Sequence, residues 1–349
     1  MYNHTFKMTD VYVLVTGGVG FIGSHTSITL LEKGYNVLII DNFSNTSEVN
    51  ITGLRKLHAK VKNGTKLILM NVDLRNNEAL ERVFANHSIS SVIHFAALKA
   101  VGESIEKPLL YYDNNVTGVL NLMTQVANHR ISKFIFSSSA TVYGYQTPPF
   151  DEDRSITGLG ITNPYGRTKQ MTEEILQDLH VPRSSNLSVI MLRYFNPIGS
   201  HETGLLGEVP NGVPSNLFPY VLDVAEGKRK ELSVYGGDWH THDGTCLRDY
   251  VHVMDLADAH VAALNFLETT PDKILEVFNV GTGKPTSVLE LVKTFEETND
   301  VKIPYTIVSR RPGDVESSYA KVEKIKKVLN WEAKRDVKDM CRDGWNFRK

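Results

Sequence analysis

Val11-Tyr12-Val13-Leu14-Val15-Thr16-Gly17-Gly18-Val19-Gly20-Phe21-Ile22-Gly23 runs an apolar strand into a glycine turn and straight on into a helix. A near-continuous apolar run, without alternation, marks a strand covered on both faces. Gly17, Gly20 and Gly23 are spaced Gly-x-x-Gly-x-x-Gly, unlike the commoner Gly-x-Gly-x-x-Gly. They permit a tight turn and close approach of backbone to a ligand. The helix starting near Ile22 aims its first free amides at a pyrophosphate. Glycine clusters are common, but strand, turn, helix and second strand in this order form a dinucleotide fingerprint.

Further strand-like runs follow at Val37–Asp41, Leu67–Met70, Val92–Phe95, Phe134–Ser137 and Leu187–Leu192, with helix-sized segments between them. One of those segments closes on Gly34 after Lys33, a usual helix end. Repeated β-α-β units imply a parallel sheet with right-handed crossovers. Asp41 ends the second strand, where a carboxylate can accept bonds from adenosine ribose hydroxyls and would repel a 2′-phosphate; this favours NAD over NADP. Asp73-Leu74 follows the third strand and reads either as an adenine contact or as a plain loop. After Tyr194 the texture changes. Residues 197–248 are rich in glycine and proline, which predicts loops around one helix near Asn216–Glu226. A helix at Asp255–Leu267 and a strand at Glu276–Val280 are expected to return to the large sheet, and the tail from Ser287 reads as helical. The fold class is therefore α/β, a doubly wound parallel Rossmann sheet with a smaller discontinuous C-terminal substrate-binding domain. The expected division is 9–197 with 250–281 against 198–249 with 282–349.

The chain has 349 residues, 41% hydrophobic and 22% charged, within the globular range. Its formal charge of −2, from 38 basic and 40 acidic residues, offers nothing to attract nucleic acid or an anionic membrane. No apolar run approaches the ~18 residues of a membrane span. Residues 1–10 lack the apolar centre of a signal peptide and read as a short disordered lead-in. The two cysteines, Cys246 and Cys341, fit a reducing, cytoplasmic setting and no metal site. The sequons at Asn63 and Asn115 are read as chance.

Of 14 tyrosines, only Tyr165 has a lysine four residues on, Lys169. Asn163-Pro164 is a helix start, with Asn at the cap and Pro in the first turn. Tyr165 and Lys169 then share one helical face. A free phenol has a pKa of about 10 and is a poor base at neutral pH. A neighbouring ammonium and a cationic nicotinamide ring are expected to bring it into range. Ser137-Ser138-Ser139-Ala140-Thr141 leaves the fifth strand at the carboxyl end, the edge where doubly wound sheets bind ligands. A hydroxyl there can bond the reacting oxygen and relay its proton.

These features resemble the UDP-galactose 4-epimerases, extended short-chain dehydrogenases/reductases, over nearly the whole chain. The resemblance is carried by Val13–Gly18 with Phe21–His25, by His94–Ser104, Tyr111–Val116, Phe136–Gly144, Arg193–Pro197 and Arg248–Asp258. It implies Tyr165 as acid and base, Ser139 as its assistant, and Lys169 as the residue that tunes Tyr165 and binds the nicotinamide ribose. It implies that Gly17, Gly20, Phe21, Ile22, Gly23, Asp41, Asn42, Asp73, Leu74, Phe95, Lys99, Asn114 and Tyr194 line the NAD site. It implies that Asn196, Asn216, Leu217, Tyr235 and Tyr250 meet the nucleotide sugar, that Arg248 and Arg311 grip its diphosphate, and that Asp314 holds the uridine ribose. Lys99 approaches the substrate as well. Guanidinium forks suit phosphate oxygens. Ala97 departs from the glycine of many relatives. Ser318 stands where some epimerases carry a bulky Tyr, and a small residue there leaves room for a 2-acetamido group.

The implied reaction oxidises the sugar's C4 to a transient 4-keto sugar with enzyme-bound NADH, then returns hydride to the opposite face. This interconverts UDP-glucose and UDP-galactose, and with Ser318 also UDP-GlcNAc and UDP-GalNAc. A 4,6-dehydratase would need an acid and a base just after the active-loop hydroxyl, where this chain has Ala140-Thr141. A non-catalytic NAD sensor would have no use for Tyr165, Lys169 and Ser139 together. The resemblance further implies a homodimer packed through helices near 112–130 and 164–180.

Overall fold

The computed structural model describes residues 10–349 except 155, 157–159, 184, 215 and 312; the lead-in expected at the N-terminus thus lies, but for Asp10, outside the described residues. Strands are β1 Val11–Thr16, β2 Asn36–Asp41, β3 Leu67–Asn71, β4 Ser88–His94, β5 Lys133–Ser139, β6 Ser188–Tyr194, β7 Asn196–Ile198, β8 Leu232–Tyr235, β9 Leu247–His252, β10 Leu275–Val280, β11 Pro285–Ser287, β12 Tyr305–Val308 and β13 Ser317–Ser318. The main sheet has 7 strands in the order β10-β6-β5-β4-β1-β2-β3. Every pairing in it is parallel.

Both faces of this sheet are dry, which is why its strands read as continuous apolar runs. In β1, Val13 and Val15 enter the core beneath helices Phe21–Glu32 and Val253–Thr269. Tyr12 and Leu14 enter the opposite core, beneath helices Asn77–Asn86, Gly118–Asn128 and Pro164–His180. The strand expected at Glu276–Val280 is β10, paired with β6 at the sheet edge. The expected helices near 216 and 255 are Leu217–Ala225 and Val253–Thr269.

A third core joins Phe218, Val221, Val234, Tyr250, Leu291, Phe295 and Met340. Two expectations need correction here. The segment 197–248 holds β7 and β8 besides its helix, and the tail after Ser287 includes β12 and β13 besides helices Val288–Asn299, Glu323–Leu329 and Val337–Asn346. These strands find partners only at long range, β8 with β12 and β9 with β7, β11 and β13, so no local pattern announces them. Ile325, Leu329 and Trp331 of the tail pack into the large-sheet core instead of the third core.

β1 lies between β2 and β4, where the strand order reverses direction. The crevice outside the carboxyl ends of β1 and β4 is the place at which open α/β sheets bind ligands. The turn after β1 and the loop after β4 meet there. Asn115 supports that loop from inside a π-helical turn, Asp113–Thr117. Its side chain accepts from the Leu98 amide at 2.8 Å and donates to the Leu98 carbonyl at 3.0 Å.

Candidate active site

Gly17 has φ +66°, and a Cβ there would stand 2.7 Å from the Ala96 nitrogen; the turn after β1 is pressed against the loop after β4. A Cβ on Gly23 would lie 2.3 Å from the Gly17 carbonyl. The helix Phe21–Glu32 begins behind Gly20 with no side-chain cap and no acid in its first turn. Its first amides therefore keep their partial positive charge for a ligand. Closely packed glycines, free amides and an acid at the next strand end together fit the pyrophosphate and ribose of a dinucleotide.

Asp41 is 7% exposed and stitches the turn to β2. It accepts from the Val19 amide at 3.2 Å, the Phe43 amide at 2.9 Å and the Thr46 hydroxyl at 3.2 Å. Burial raises its pKa, and those donors oppose the shift. Asn42 donates to Asp73 at 3.0 Å. Asp73 is forked by Arg75 through Nε at 3.0 Å and Nη2 at 2.8 Å, and Arg75's hydrogen bonds hold its carboxyl far below the usual range. Leu74 is buried against Gly118, 3.2 Å from where a Cβ would stand. Asp41, Asn42, Asp73 and Leu74 thus gather at the β2–β3 end of the crevice.

At the other end, the cap of helix Pro164–His180 is the Asn163 side chain, which accepts from Gly166 at 2.8 Å. This start projects Tyr165 toward β5, where the Ser139 hydroxyl lowers its phenol's pKa. Thr141 donates to Ser139 from its hydroxyl at 3.0 Å, leaving the Ser139 proton free to point at the phenol. Lys169, 4% exposed, donates to the Ser137 carbonyl at 2.6 Å and stands 4.8 Å from the Phe136 ring centre. Its nitrogen is 5.9 Å from the centre of the Tyr165 ring.

The expected activation of Tyr165 combines an ammonium with a cationic nicotinamide ring; the protein's own groups leave the phenol raised. Burial pushes the Tyr165 phenol up, and the Ser139 hydroxyl and Lys99 ammonium draw it back by less. Burial also drives Lys169 down to about 7, against the pull of Glu173. Two groups in one dry cleft both favour their neutral forms. A positive ligand charge is needed to bring the phenol into range.

Phe95 packs on His260 with ring centres 4.7 Å apart, and the Tyr194 hydroxyl also bonds to His260. The His260 Nδ1 bonds the Leu256 carbonyl at 2.8 Å, so the Nδ1 carries the proton and Tyr194 donates to Nε2. Burial moves His260 down to about 4 and lifts Tyr194 well above the tyrosine range. Asn114 donates to the Asn115 side-chain Oδ1 at 2.9 Å, and Ala97 is half-buried.

A second group forms across the smaller lobe. Arg311 holds Asp314 through Nη2 at 2.8 Å and lies 5.6 Å from the Tyr235 ring centre. Arg248 reaches the Val315 carbonyl at 2.9 Å and approaches Asp314 to 3.8 Å. Ser318 pairs in register with Arg248, and Asn196 with Tyr250. Ser318 is half-buried in a short strand. Asn216 caps helix Leu217–Ala225 without bonding it, so its amide stays available beside Leu217. Tyr250 is buried, and burial raises its phenol.

Known proteins resemble the chain over nearly its whole length. A model of the family described as GDP-mannose 4,6 dehydratase matches residues 14–344. UDP-glucose 4-epimerase 2 of Arabidopsis thaliana is 51% identical over 336 residues, 96% of this chain and 94% of that protein. The crystal structure of UDP-glucose 4-epimerase from Bifidobacterium longum, in complex with NAD+ and UDP, superposes with a TM-score of 0.89 at 46% identity, covering 97% of this chain and 98% of that one. That from Stenotrophomonas maltophila, with bound NAD and formylated UDP-arabinopyranose, gives 0.90 at 42% identity, covering 97% and 98%.

The chain is a UDP-glucose 4-epimerase family member of the extended short-chain dehydrogenases/reductases.

Several residues of this epimerase-family site escaped the sequence reading. Glu173, fully buried, accepts from Arg193 through Nε at 3.0 Å and Nη2 at 2.7 Å, and from the Ser138 hydroxyl. It lies four residues beyond Lys169, so the helical face that pairs Tyr165 with Lys169 extends to it; that spacing was the available signal. Asn115 was marked only as part of the Tyr111–Val116 resemblance, and Glu208 by nothing. Replacing Gly23 by Ala should force the turn apart, weakening dinucleotide binding about 10- to 100-fold in a fluorescence titration while the far-ultraviolet spectrum stays native.

Proposed function

We propose that this protein interconverts UDP-glucose and UDP-galactose at C4, with NAD held in the β1–β4 crevice. The observation that carries the reading is the meeting of the Tyr165 phenol, the Ser139 hydroxyl and the Lys169 ammonium at the carboxyl edge of the sheet, next to the glycine turn. Bound there, NAD supplies the reversible redox step at C4 and a pyridinium charge that favours the phenolate. Tyr165 takes the proton of the 4-hydroxyl and later gives it back, with Ser139 holding the same oxygen. Lys169 fits a bond to the nicotinamide ribose. Asp41 fits the adenosine ribose. Arg248 and Arg311 hold the diphosphate, Asp314 the uridine ribose, and Asn196, Asn216, Leu217, Tyr235 and Tyr250 the rest of the nucleotide sugar. The lobe formed by 198–249 and 282–349 is the proposed substrate side, and 9–197 with 250–281 the cofactor side.

Dehydration after C4 oxidation finds no acid and base behind Ser139. The helical turn Ala140–Tyr143 offers Ala140 and Thr141 at those positions. Purified protein should convert UDP-galactose to UDP-glucose without added NAD, and Tyr165→Phe should lower kcat about 10²- to 10⁴-fold with the fold retained. Full activity of that variant would refute the assignment.

Ser318 supports a wider substrate range. Its small side chain beside Arg248 leaves space for an N-acetyl group, so UDP-GalNAc and UDP-GlcNAc are proposed as a second substrate pair. Ser318→Tyr should cut turnover of the N-acetylated pair at least about tenfold and spare the hexose pair. Equal turnover of both pairs in the variant would exclude a gate.

The homodimer is proposed on the helices near 112–130 and 164–180. Just before and after these helices Leu109 is 81% exposed, Ile105 61% and Val181 72%, exposed apolar side chains that support association. Sedimentation should give twice the chain mass and Leu109→Glu a lighter species. No helix among the described residues is long and apolar enough to cross a membrane. The two thiols are buried and unpaired, which supports a cytoplasmic setting.

A further inference from the structure

Glu208 lies outside every motif named above, on the loop between β7 and helix Leu217–Ala225. Its carboxylate receives the Lys99 ammonium at 2.7 Å, closing a bridge between the loop after β4 and the smaller lobe. The two partners differ in freedom: the Glu208 side chain is 13% exposed, that of Lys99 53%.

The chain behind Glu208 is firmly seated. Asn50, 3% exposed, donates to the Gly207 carbonyl at 3.1 Å and accepts from the Gly207 amide at 3.3 Å. Leu205 is pressed on Gly53 so closely that a Cβ there would meet its carbonyl oxygen at 1.9 Å. The Phe347 ring covers Gly207, 2.3 Å from where a Cβ would stand. A clamped carboxylate therefore faces a half-exposed lysine. The Lys99 nitrogen also rests 5.9 Å from the Phe21 ring centre, at the start of the cofactor helix.

We propose that Glu208 is a positioning residue that fixes the Lys99 ammonium beside Tyr165 and, by its own charge, limits how strongly that ammonium favours the phenolate. The inference rests on the proton-transfer role proposed for Tyr165. Lys99 acts on Tyr165 through its charge. The other groups around the phenol are the Ser139 hydroxyl, Lys169 on the same helix, Tyr111 from the helix Pro108–Tyr112, and Tyr194 from β6. Lys169 is turned to the Ser137 carbonyl, so Lys99 is the cation whose field on the phenol can be altered without disturbing the buried helix.

Glu208 has two separable effects, and they have opposite signs. As an acceptor it keeps Lys99 near the phenol, which lowers the Tyr165 pKa. As an anion it screens Lys99, which raises it. In Glu208→Gln the amide oxygen can still accept the ammonium while the negative charge is gone. The phenolate is then favoured more, and the acidic limb of kcat/KM should move to lower pH by about half a unit or more. In Glu208→Ala the half-exposed lysine relaxes into solvent, and the limb should move to higher pH. In a Lys99→Met background the Glu208→Gln change should move nothing.

The experiment measures these pH profiles on the holoenzyme, together with the near-ultraviolet tyrosinate titration of each variant less that of its Tyr165→Phe counterpart. Opposite displacements of the Gln and Ala variants, both abolished without Lys99, support the proposal. Displacements of the same sign, none at all, or shifts that persist in Lys99→Met overturn it and leave Glu208 as a loop tie. Failure of the Tyr165 role itself would show differently, as epimerase activity surviving in Tyr165→Phe.

Discussion

Glu173 sits out of solvent and meets Arg193 through two parallel hydrogen bonds, while the Ser138 hydroxyl supplies another. Such a pair adds little net stability, because removing two charges from water costs about as much as their attraction returns. What it does is forbid alternatives. Any sliding of helix Pro164–His180 over β5 and β6 would leave a buried charge unmatched. Arg193 also donates to the Tyr143 hydroxyl at 3.0 Å, and Tyr143 to Asn279 at 2.7 Å, so the constraint reaches β10 at the sheet edge. With the helix held at its middle by Glu173 and at its start by the Asn163 cap, Tyr165 and Lys169 have one place to be.

The same dryness sets the electrical state of the site. Desolvation raises a phenol and lowers an ammonium, so packing Tyr165 and Lys169 into an apolar cleft works against the charged forms of both. His94, bonded to Thr16 at 2.7 Å, is likewise kept neutral, its pKa driven by burial to about 3. A cleft built this way disfavours the charged forms of its buried groups. Ordering Tyr165 and Ser139 in advance leaves less reorganisation for the reaction itself.

Arg248–Asp258, one of the stretches that carry the family resemblance, is mostly architectural. Asp249 is fully buried and accepts from the Thr282 amide at 2.7 Å, the Gly283 amide at 2.9 Å and the Ala320 amide at 3.1 Å. His252 bonds Asp343 at 3.2 Å, and Asp255 takes the Lys334 and Arg335 amides at 3.0 and 2.9 Å. These polar pins join β9 and the following helix to the C-terminal segments, and so seat Arg248 against them. Arg248 faces Asp314 within a run whose neighbours serve the frame.

The sequence by itself determined the elements whose cause is local. Apolar runs with both faces dry produced the parallel strands, three glycines the turn, Asn163-Pro164 the helix start, and a four-residue spacing the shared face of Tyr165 and Lys169. The short strands β7, β8, β12 and β13 were not legible, since each exists only because a distant strand completes its hydrogen bonds. Only the tertiary structure decided the burial and the pairings: that Tyr165 and Lys169 are desolvated, that Asp73 is engaged by Arg75, that Asn115 clasps Leu98, and that Glu208 faces Lys99 from 109 positions away. Hydrogen-bonded periodicity is written in neighbouring residues, whereas desolvation and Coulomb attraction depend on what the folded chain brings within a few ångströms, and a linear order of residues carries no distances.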